Sequence, residues 1–163
     1  MGELSFDPGA SSIAGVLVHP LADIADERGA VLHVMRCDSP LFTGFGEVYC
    51  SLTLPGAVKA WKQHVRQTQH LAVPVGSLRL VLVDHRADSP THGAVEQHVL
   101  GRPHGYALWR IPPGLWYGFQ AIGNEPALIV NVTDTPHDAD ESRRLPAQEG
   151  PVRFDWGSHP TAG

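Results

Sequence analysis

The chain has 163 residues, 42% hydrophobic and 18% charged, with a formal net charge of −5. That size suits a single domain, 1–163, with its core at about 13–156 and tails at 1–12 and 157–163, and the composition excludes a disordered chain. No basic run exceeds Arg143–Arg144, which reads as a solvated helix face, so no nucleic acid and no membrane surface is expected as a partner.

In chain order, Ile13 to Val18 is a short apolar strand stopped by His19-Pro20. Asp26 to Gly29 is a turn by composition, and Ala30 to Arg36 a strand. The loop Asp38 to Gly46 carries Phe42 and Phe45, which need cover. Glu47 to Leu54 alternates: Glu47, Tyr49, Ser51 and Thr53 share one side, Val48, Cys50, Leu52 and Leu54 the other. Pro55-Gly56 turns the chain into two short strands around a polar bend. Ser77 to His85 is apolar on both faces and so belongs inside a sheet. Ala94 to Leu100, Tyr106 to Ile111, Leu115 to Ala121 and Pro126 to Thr133 complete about ten strands. A short helix is expected from about Asp138, with acids early and arginines late. The closing stretch carries an apolar anchor in Val152, Phe154 and Trp156. Many short strands with regular turns argue for an all-β barrel or sandwich.

No apolar segment approaches the roughly 20 residues of a membrane helix, and no signal peptide is visible at the N-terminus. Cys37 and Cys50 lack paired spacing, so a reducing, cytoplasmic setting is expected.

Candidate chemistry gathers between Gly56 and Gly76, GAVKAWKQHVRQTQHLAVPVG. On a strand over Val58 to His64, Val58, Ala60, Lys62 and His64 share one face and Lys59, Trp61 and Gln63 the other. A lysine and a histidine two apart mark either a solvated patch or the floor of a pocket.

The spacing of this stretch resembles the first motif of the cupin family, Gly, five residues, His-x-His, three or four residues, Glu, six residues, Gly. Gly56 is followed in that frame by Lys62-x-His64, Gln69 and Gly76. The second cupin motif, a Pro-x-Gly turn and a His, resembles Pro112-Pro113-Gly114 followed by Tyr117. The resemblance implies a jelly-roll-like double-stranded β-barrel with an internal pocket. The metal-holding positions of metal-dependent cupins are Lys62, His64, Gln69 and Tyr117 here. An ammonium group repels a divalent cation, and one imidazole falls short of the three or four ligands a site needs. No metal and no cofactor is expected.

A narrower resemblance covers roughly 13–156 and rests on DERG (26–29), FGEVYCS (45–51), VKAW (58–61), VDHRADSPTHG (83–93), IPPGLWYGF (111–119) and PHDADESRR (136–144). These segments are similar to the dTDP-4-dehydrorhamnose 3,5-epimerase family. That implies a metal-independent homodimer that removes protons beside the keto group of a nucleotide-linked 4-keto-6-deoxy sugar and returns them to the other face. The family's His base falls at Lys62, its opposing Tyr acid at Ile129, the Asp supporting its His at about 147–149, and a lysine at Gln69. Arg28, Lys59 and Ser51 match binding positions of the family, while Glu47 and Tyr49 replace a Gln and an Asn.

The expectation is therefore a metal-independent isomerase acting by proton transfer on a keto-sugar nucleotide or a related keto or hydroxylated metabolite, through epimerisation, dehydration or cyclisation. Lys62, His64 and Tyr117 are the candidate catalytic residues, with Lys62 a base, a proton donor or a Schiff-base nucleophile. Arg28, Glu47, Tyr49, Ser51, Lys59 and Gln69 are the candidate substrate-binding residues. The alternatives are a non-catalytic ligand-binding cupin and a 3,5-epimerase with Lys62 as its base.

Overall fold

The computed structural model describes residues 10–157. The expected tails through residue 9 and from residue 158 lie outside the described residues. In chain order the strands are β1 (Leu17–Pro20), β2 (Asp23–Asp26), β3 (Gly29–Leu32), β4 (Glu47–Thr53), β5 (Val58–His64), β6 (Gln69–Val75), β7 (Ser77–Val83), β8 (Val95–Gly101), β9 (Ala107–Ile111), β10 (Trp116–Ile122), β11 (Ala127–Thr133) and β12 (Ser142–Arg144). One five-stranded sheet runs β1-β9-β6-β11-β4, the other β12-β5-β10-β7-β8, and β2-β3 forms a separate hairpin. Every pairing is antiparallel. The main core joins both sheets, with Leu71, Val73, Trp109, Ile111 and Ile129 from the first packed with Leu78, Leu80, Leu82, Tyr117 and Ala121 from the second. β7 lies between β10 and β8, and its Leu78, Leu80, Val81, Leu82 and Val83 are all buried, as the two apolar faces predict.

β4 keeps its alternation but turns the polar side inward. Thr53 is fully buried, whereas Val48 and Leu52 on this edge strand and Leu54 just after it are 53, 56 and 61% exposed. Phe45, expected to find cover, is 65% exposed just before it.

Three other expectations change. The first strand begins only at Leu17; Ile13 and Val16 enter the core from the turn ahead of it. The strand expected over Ala30 to Arg36 ends at Leu32 and pairs with β2, which the sequence did not mark. The expected C-terminal helix is one 3-10 turn, Ala139–Glu141, capped by the Asp138 side chain. Ser142 to Arg144 then pair with His64 to Lys62 on the open edge of β5, and Pro146 follows. Ladder hydrogen bonds on a free edge outweigh a weak helical propensity over three residues. The anchor behaves as expected: Phe154 and Trp156 pack on Trp61, with the Trp61–Trp156 ring centroids 5.3 Å apart.

The run from Asp84 to Thr91 ties the lead-in to the barrel. Asp84 is fully buried and accepts from Arg86 Nε and Nη2 at 2.9 and 2.8 Å, Ser89 Oγ at 2.5 Å and Thr91 Oγ1 at 2.6 Å. Arg86 also donates to Ala14 O, and Ala14 N donates to Thr91 Oγ1, which seats Ile13 and Val16. The Arg86 guanidinium, with the two hydroxyls, holds the Asp84 carboxyl well below the usual carboxylate range. The ionised form therefore stabilises the fold above the unfolded value of about 3.9, and that contribution is lost as pH falls below it. Asp84→Ala should cost about 3–5 kcal/mol in urea unfolding at pH 7, because it leaves a partly buried arginine without its partner. The gap to the unsubstituted protein should narrow as the measurement is repeated towards pH 3.

Candidate active site

Between the sheets lies a cavity of about 610 Å³, within the size range of small-molecule sites. From the second sheet it is lined by Lys59, Ala60, Trp61, Lys62, Tyr117, Phe119 and Arg144; from the first by Tyr49, Ser51, Leu71, Ile129 and Asn131. Both lysines of the chain are in this lining.

Simple alternation would set Lys59 and Lys62 on opposite faces. The register between β5 and β10 shows why they share one: Lys62 stands opposite Tyr117 and Lys59 opposite Phe119, so Ala60 and Trp61 together face Gly118. Two residues against one is a bulge, and it reverses the phase of the strand. A Cβ at Gly118 would lie 2.5 Å from the Ala60 Cβ and 3.0 Å from Trp156, so only glycine allows the strands to approach here.

Lys62 is flanked in register by Tyr117 on β10 and Arg144 on β12. Neither Lys62 nor Arg144 has an ion-pair partner among the described residues. Burial, and then the Arg144 charge, push the Lys62 amine below the usual lysine range, against a weaker pull from Glu141 and Glu47. Lys59 is more open; its Nζ donates to Ser51 Oγ at 3.0 Å and Leu52 O at 2.7 Å, which pins it at the rim.

His64 does not line the cavity. It is 5% exposed and lies behind Tyr117, with Nδ1 2.6 Å from Glu141 Oε2 and Nε2 3.0 Å from Tyr117 Oη. Glu141 also accepts from the backbone N–H of Arg66 and Gln67. Burial of Glu141 opposes ionisation, but these donors prevail and hold its carboxyl below the usual range. Burial also pushes the His64 imidazole down, so the pair is a neutral histidine with a carboxylate. Nδ1–H then donates to Glu141, and Nε2 accepts from the Tyr117 hydroxyl. Burial raises the Tyr117 phenol, which keeps its proton.

The remaining predicted residues divide. Tyr49, Ser51 and Lys59 line the cavity as expected. Arg28 does not: it caps the β2-β3 hairpin, 82% exposed, paired with Asp26 at 2.7 Å. Glu47 is half-buried at the start of β4 and outside the lining. Gln69 is 1% exposed and spends its amide on Gln67 and Asn131. Ile129 lines the cavity without a hydroxyl, and the turn at 147–149 receives the Trp61 indole N–H instead of supporting a histidine. Arg144, Asn131 and Glu141 were missed. Arg144 and Glu141 lie in the quoted segment at 136–144, whose expected helix would have turned them to solvent.

The four cupin metal positions do not fit a cation. Lys62 is a cation or a buried amine, both ring nitrogens of His64 are engaged, and Gln69 is committed to other amides. Among the described residues no three of His, Cys, Asp and Glu gather as ligands.

The cavity of this jelly-roll barrel thus combines a depressed amine, two further cations and two phenols. The sequence profile of the dTDP-4-dehydrorhamnose 3,5-epimerase family matches residues 10–162. The chain is 35% identical over 151 residues to the probable low-salt glycan biosynthesis epimerase Agl13 of Haloferax volcanii, covering 90% of this chain and 96% of that one. It is 30% identical to the spore coat polysaccharide biosynthesis protein SpsL of Bacillus subtilis, over 90% of this chain and 97% of that one. A crystal structure of a dTDP sugar isomerase from Desulfovibrio desulfuricans G20 superposes with a TM-score of 0.85 at 51% identity, covering 88% of this chain and 92% of that one. The chain belongs to the dTDP-4-dehydrorhamnose 3,5-epimerase family, a group of isomerases with the cupin-like jelly-roll fold.

Because Lys59 and Lys62 are the only lysines, reductive methylation with carbon-13 should give two side-chain NMR signals. One of them should titrate below the roughly 10.4 of a free lysine amine and vanish in Lys62→Met.

Proposed function

We propose that this protein is a metal-independent epimerase of a nucleotide-linked keto sugar and that Lys62 is its base. The observation that carries the reading is the row Arg144–Lys62–Tyr117 across three adjacent strands, facing a cavity with no anion of its own in ion-pair reach among the described residues. Cations without counter-charges favour an anionic ligand. The diphosphate of a sugar nucleotide supplies that charge to Lys59 at the rim. Phe119, Leu71 and Ile129 offer an apolar surface to the deoxy-sugar ring.

Proton removal beside a ketone needs a neutral base near working pH and a positive group near the oxygen where charge develops. Arg144 serves both needs. With burial, its charge lowers the Lys62 amine below the usual lysine range, which favours the neutral base, and it stabilises the enolate once Lys62 has taken the proton. Tyr117, with its hydrogen given to His64, turns oxygen lone pairs towards the cavity and can accept from a sugar hydroxyl or from the Lys62 ammonium. His64 and Glu141 act through Tyr117 as positioning residues.

We also infer a homodimer. Val48, Leu52 and Leu54 place an apolar, exposed edge strand on the outside, the kind of surface that pairing covers. The two free, exposed thiols, Cys37 and Cys50, fit a reducing cytoplasmic setting; among the described residues no helix is long and apolar enough to cross a membrane.

With a nucleotide-linked 4-keto-6-deoxy sugar in deuterium oxide, the protein should introduce solvent deuterium beside the keto carbon, at a rate that falls as pH drops and Lys62 protonates. Lys62→Met should lower that rate by about 10²–10⁴-fold with an unchanged thermal melt. Unaltered exchange removes Lys62 from the chemistry, and no exchange by the unsubstituted protein at any carbon favours the ligand-binding alternative. In sedimentation velocity the protein should run as a dimer and Leu52→Glu as a monomer.

A further inference from the structure

A chain of buried side-chain amides ends on the phenol of Tyr49, and its polarity is fixed at both ends. At one end the Thr135 carbonyl can only accept, so Gln67 meets it with Nε2–H, at 2.6 Å. That leaves Gln67 Oε1 to accept from Gln69 Nε2 at 2.7 Å. Gln69 Oε1 in turn accepts from Asn131 Nδ2. At the other end the backbone N–H of His70 donates to Asn131 Oδ1 at 3.2 Å. The second hydrogen on Asn131 Nδ2 therefore goes to Tyr49 Oη, 2.7 Å away. Gln67, Gln69 and Asn131 are 5, 1 and 2% exposed. Reversing any one amide would set donor against donor or acceptor against acceptor where no bulk water can relieve it.

Tyr49 is thus an acceptor towards Asn131, and its own hydroxyl hydrogen has no acceptor among the described residues. Tyr117 has the opposite polarity, with its hydrogen spent on His64. The two phenols line one cavity from different sheets. Tyr49 stands in register with Asn131 and Leu71 on the first sheet, Tyr117 beside Lys62 on the second. A sugar ring held between the sheets would present one face to Lys62 and the other to Tyr49.

We propose that Tyr49 is the proton donor to the sugar face turned away from Lys62, aimed by the Thr135–Gln67–Gln69–Asn131 chain. This rests on the reading of Lys62 as the base. The Lys62 amine takes the proton beside the ketone; the C–H electron pair becomes the enolate double bond and the carbonyl oxygen takes the charge. The enolate carbon then takes the Tyr49 hydrogen from the other side. A new C–H bond forms as the O–H bond breaks, the ketone is restored, and a phenolate remains. The Asn131 N–H and the field of Arg144 stabilise that phenolate. Water returns a proton to Tyr49 and removes one from Lys62, so nothing is oxidised or reduced. Burial raises the Tyr49 phenol above its ordinary value, so it enters the cycle carrying its hydrogen.

The test uses the nucleotide-linked 4-keto-6-deoxy sugar in deuterium oxide and follows two quantities by NMR: deuterium entering the starting epimer, and the inverted epimer formed. Tyr49→Phe should lower inversion by about 10²–10⁴-fold while deuterium still enters the starting epimer, because Lys62 removes and returns hydrons on its own face. Asn131→Asp should reproduce that pattern, since its carboxylate would accept the phenol hydrogen and turn it from the cavity. Inversion at the unsubstituted rate in Tyr49→Phe, or equal loss of exchange and inversion, overturns the donor role. Full inversion in Asn131→Asp overturns the aiming by the amide chain. Absence of exchange in the unsubstituted protein overturns the base reading and this proposal together, whereas exchange that depends on Lys62 with unaltered inversion in Tyr49→Phe overturns this proposal alone.

Discussion

Like charges crowd one wall of this cavity. Lys62 has a guanidinium on the next strand, Lys59 stands one bulge away, and none of the three cations is in an ion pair among the described residues. In a partly desolvated pocket such an arrangement is unfavourable, and it is relieved in two ways. The amine at Lys62 gives up its proton more readily than an ordinary lysine, and an incoming anion neutralises what remains. On the proposed reading the first makes a base and the second a binding site, so burial and like charge together underlie both chemistry and affinity.

The bulge between β5 and β10 sets this up, and Gly118 permits the bulge. Around it, fixed groups limit what the side chains can do. Glu141, held by two backbone N–H groups, dictates the tautomer of His64 and through it the hydrogen of Tyr117. On the other sheet a carbonyl and a backbone N–H dictate the direction of three amides and the hydrogen of Tyr49. Both phenols are therefore oriented by backbone groups that cannot flip, the kind of support that keeps a site preorganised.

Much of this was legible in the residues. Period-2 patterning located the later strands within a residue or two, because strand burial repeats every second residue. The Gly56 to Gly76 frame marked the strand that carries Lys62. The Asp84 to Gly93 run was equally distinctive in sequence, yet its carboxylate is bound up with Arg86, Ser89 and Thr91 and serves the fold. Distinctive spacing signals a constrained geometry and does not say whether the constraint is chemical or structural.

By itself the sequence determined the all-β class and the strand that carries Lys62, and the family resemblance put a lysine at position 62 where the family has its histidine. These are local properties, carried by alternation, turn residues and motif spacing. Tertiary structure alone decided the rest. It brought Lys59 round to Lys62 through a bulge, and turned an expected helix into the edge strand that delivers Arg144. It set His64 behind Tyr117 on Glu141, 77 residues away, left Arg28 outside, and made Gln69 a link in an amide chain. Each of these depends on which strand finds an open edge and which buried donor finds an acceptor, and such pairings are settled only when distant segments meet.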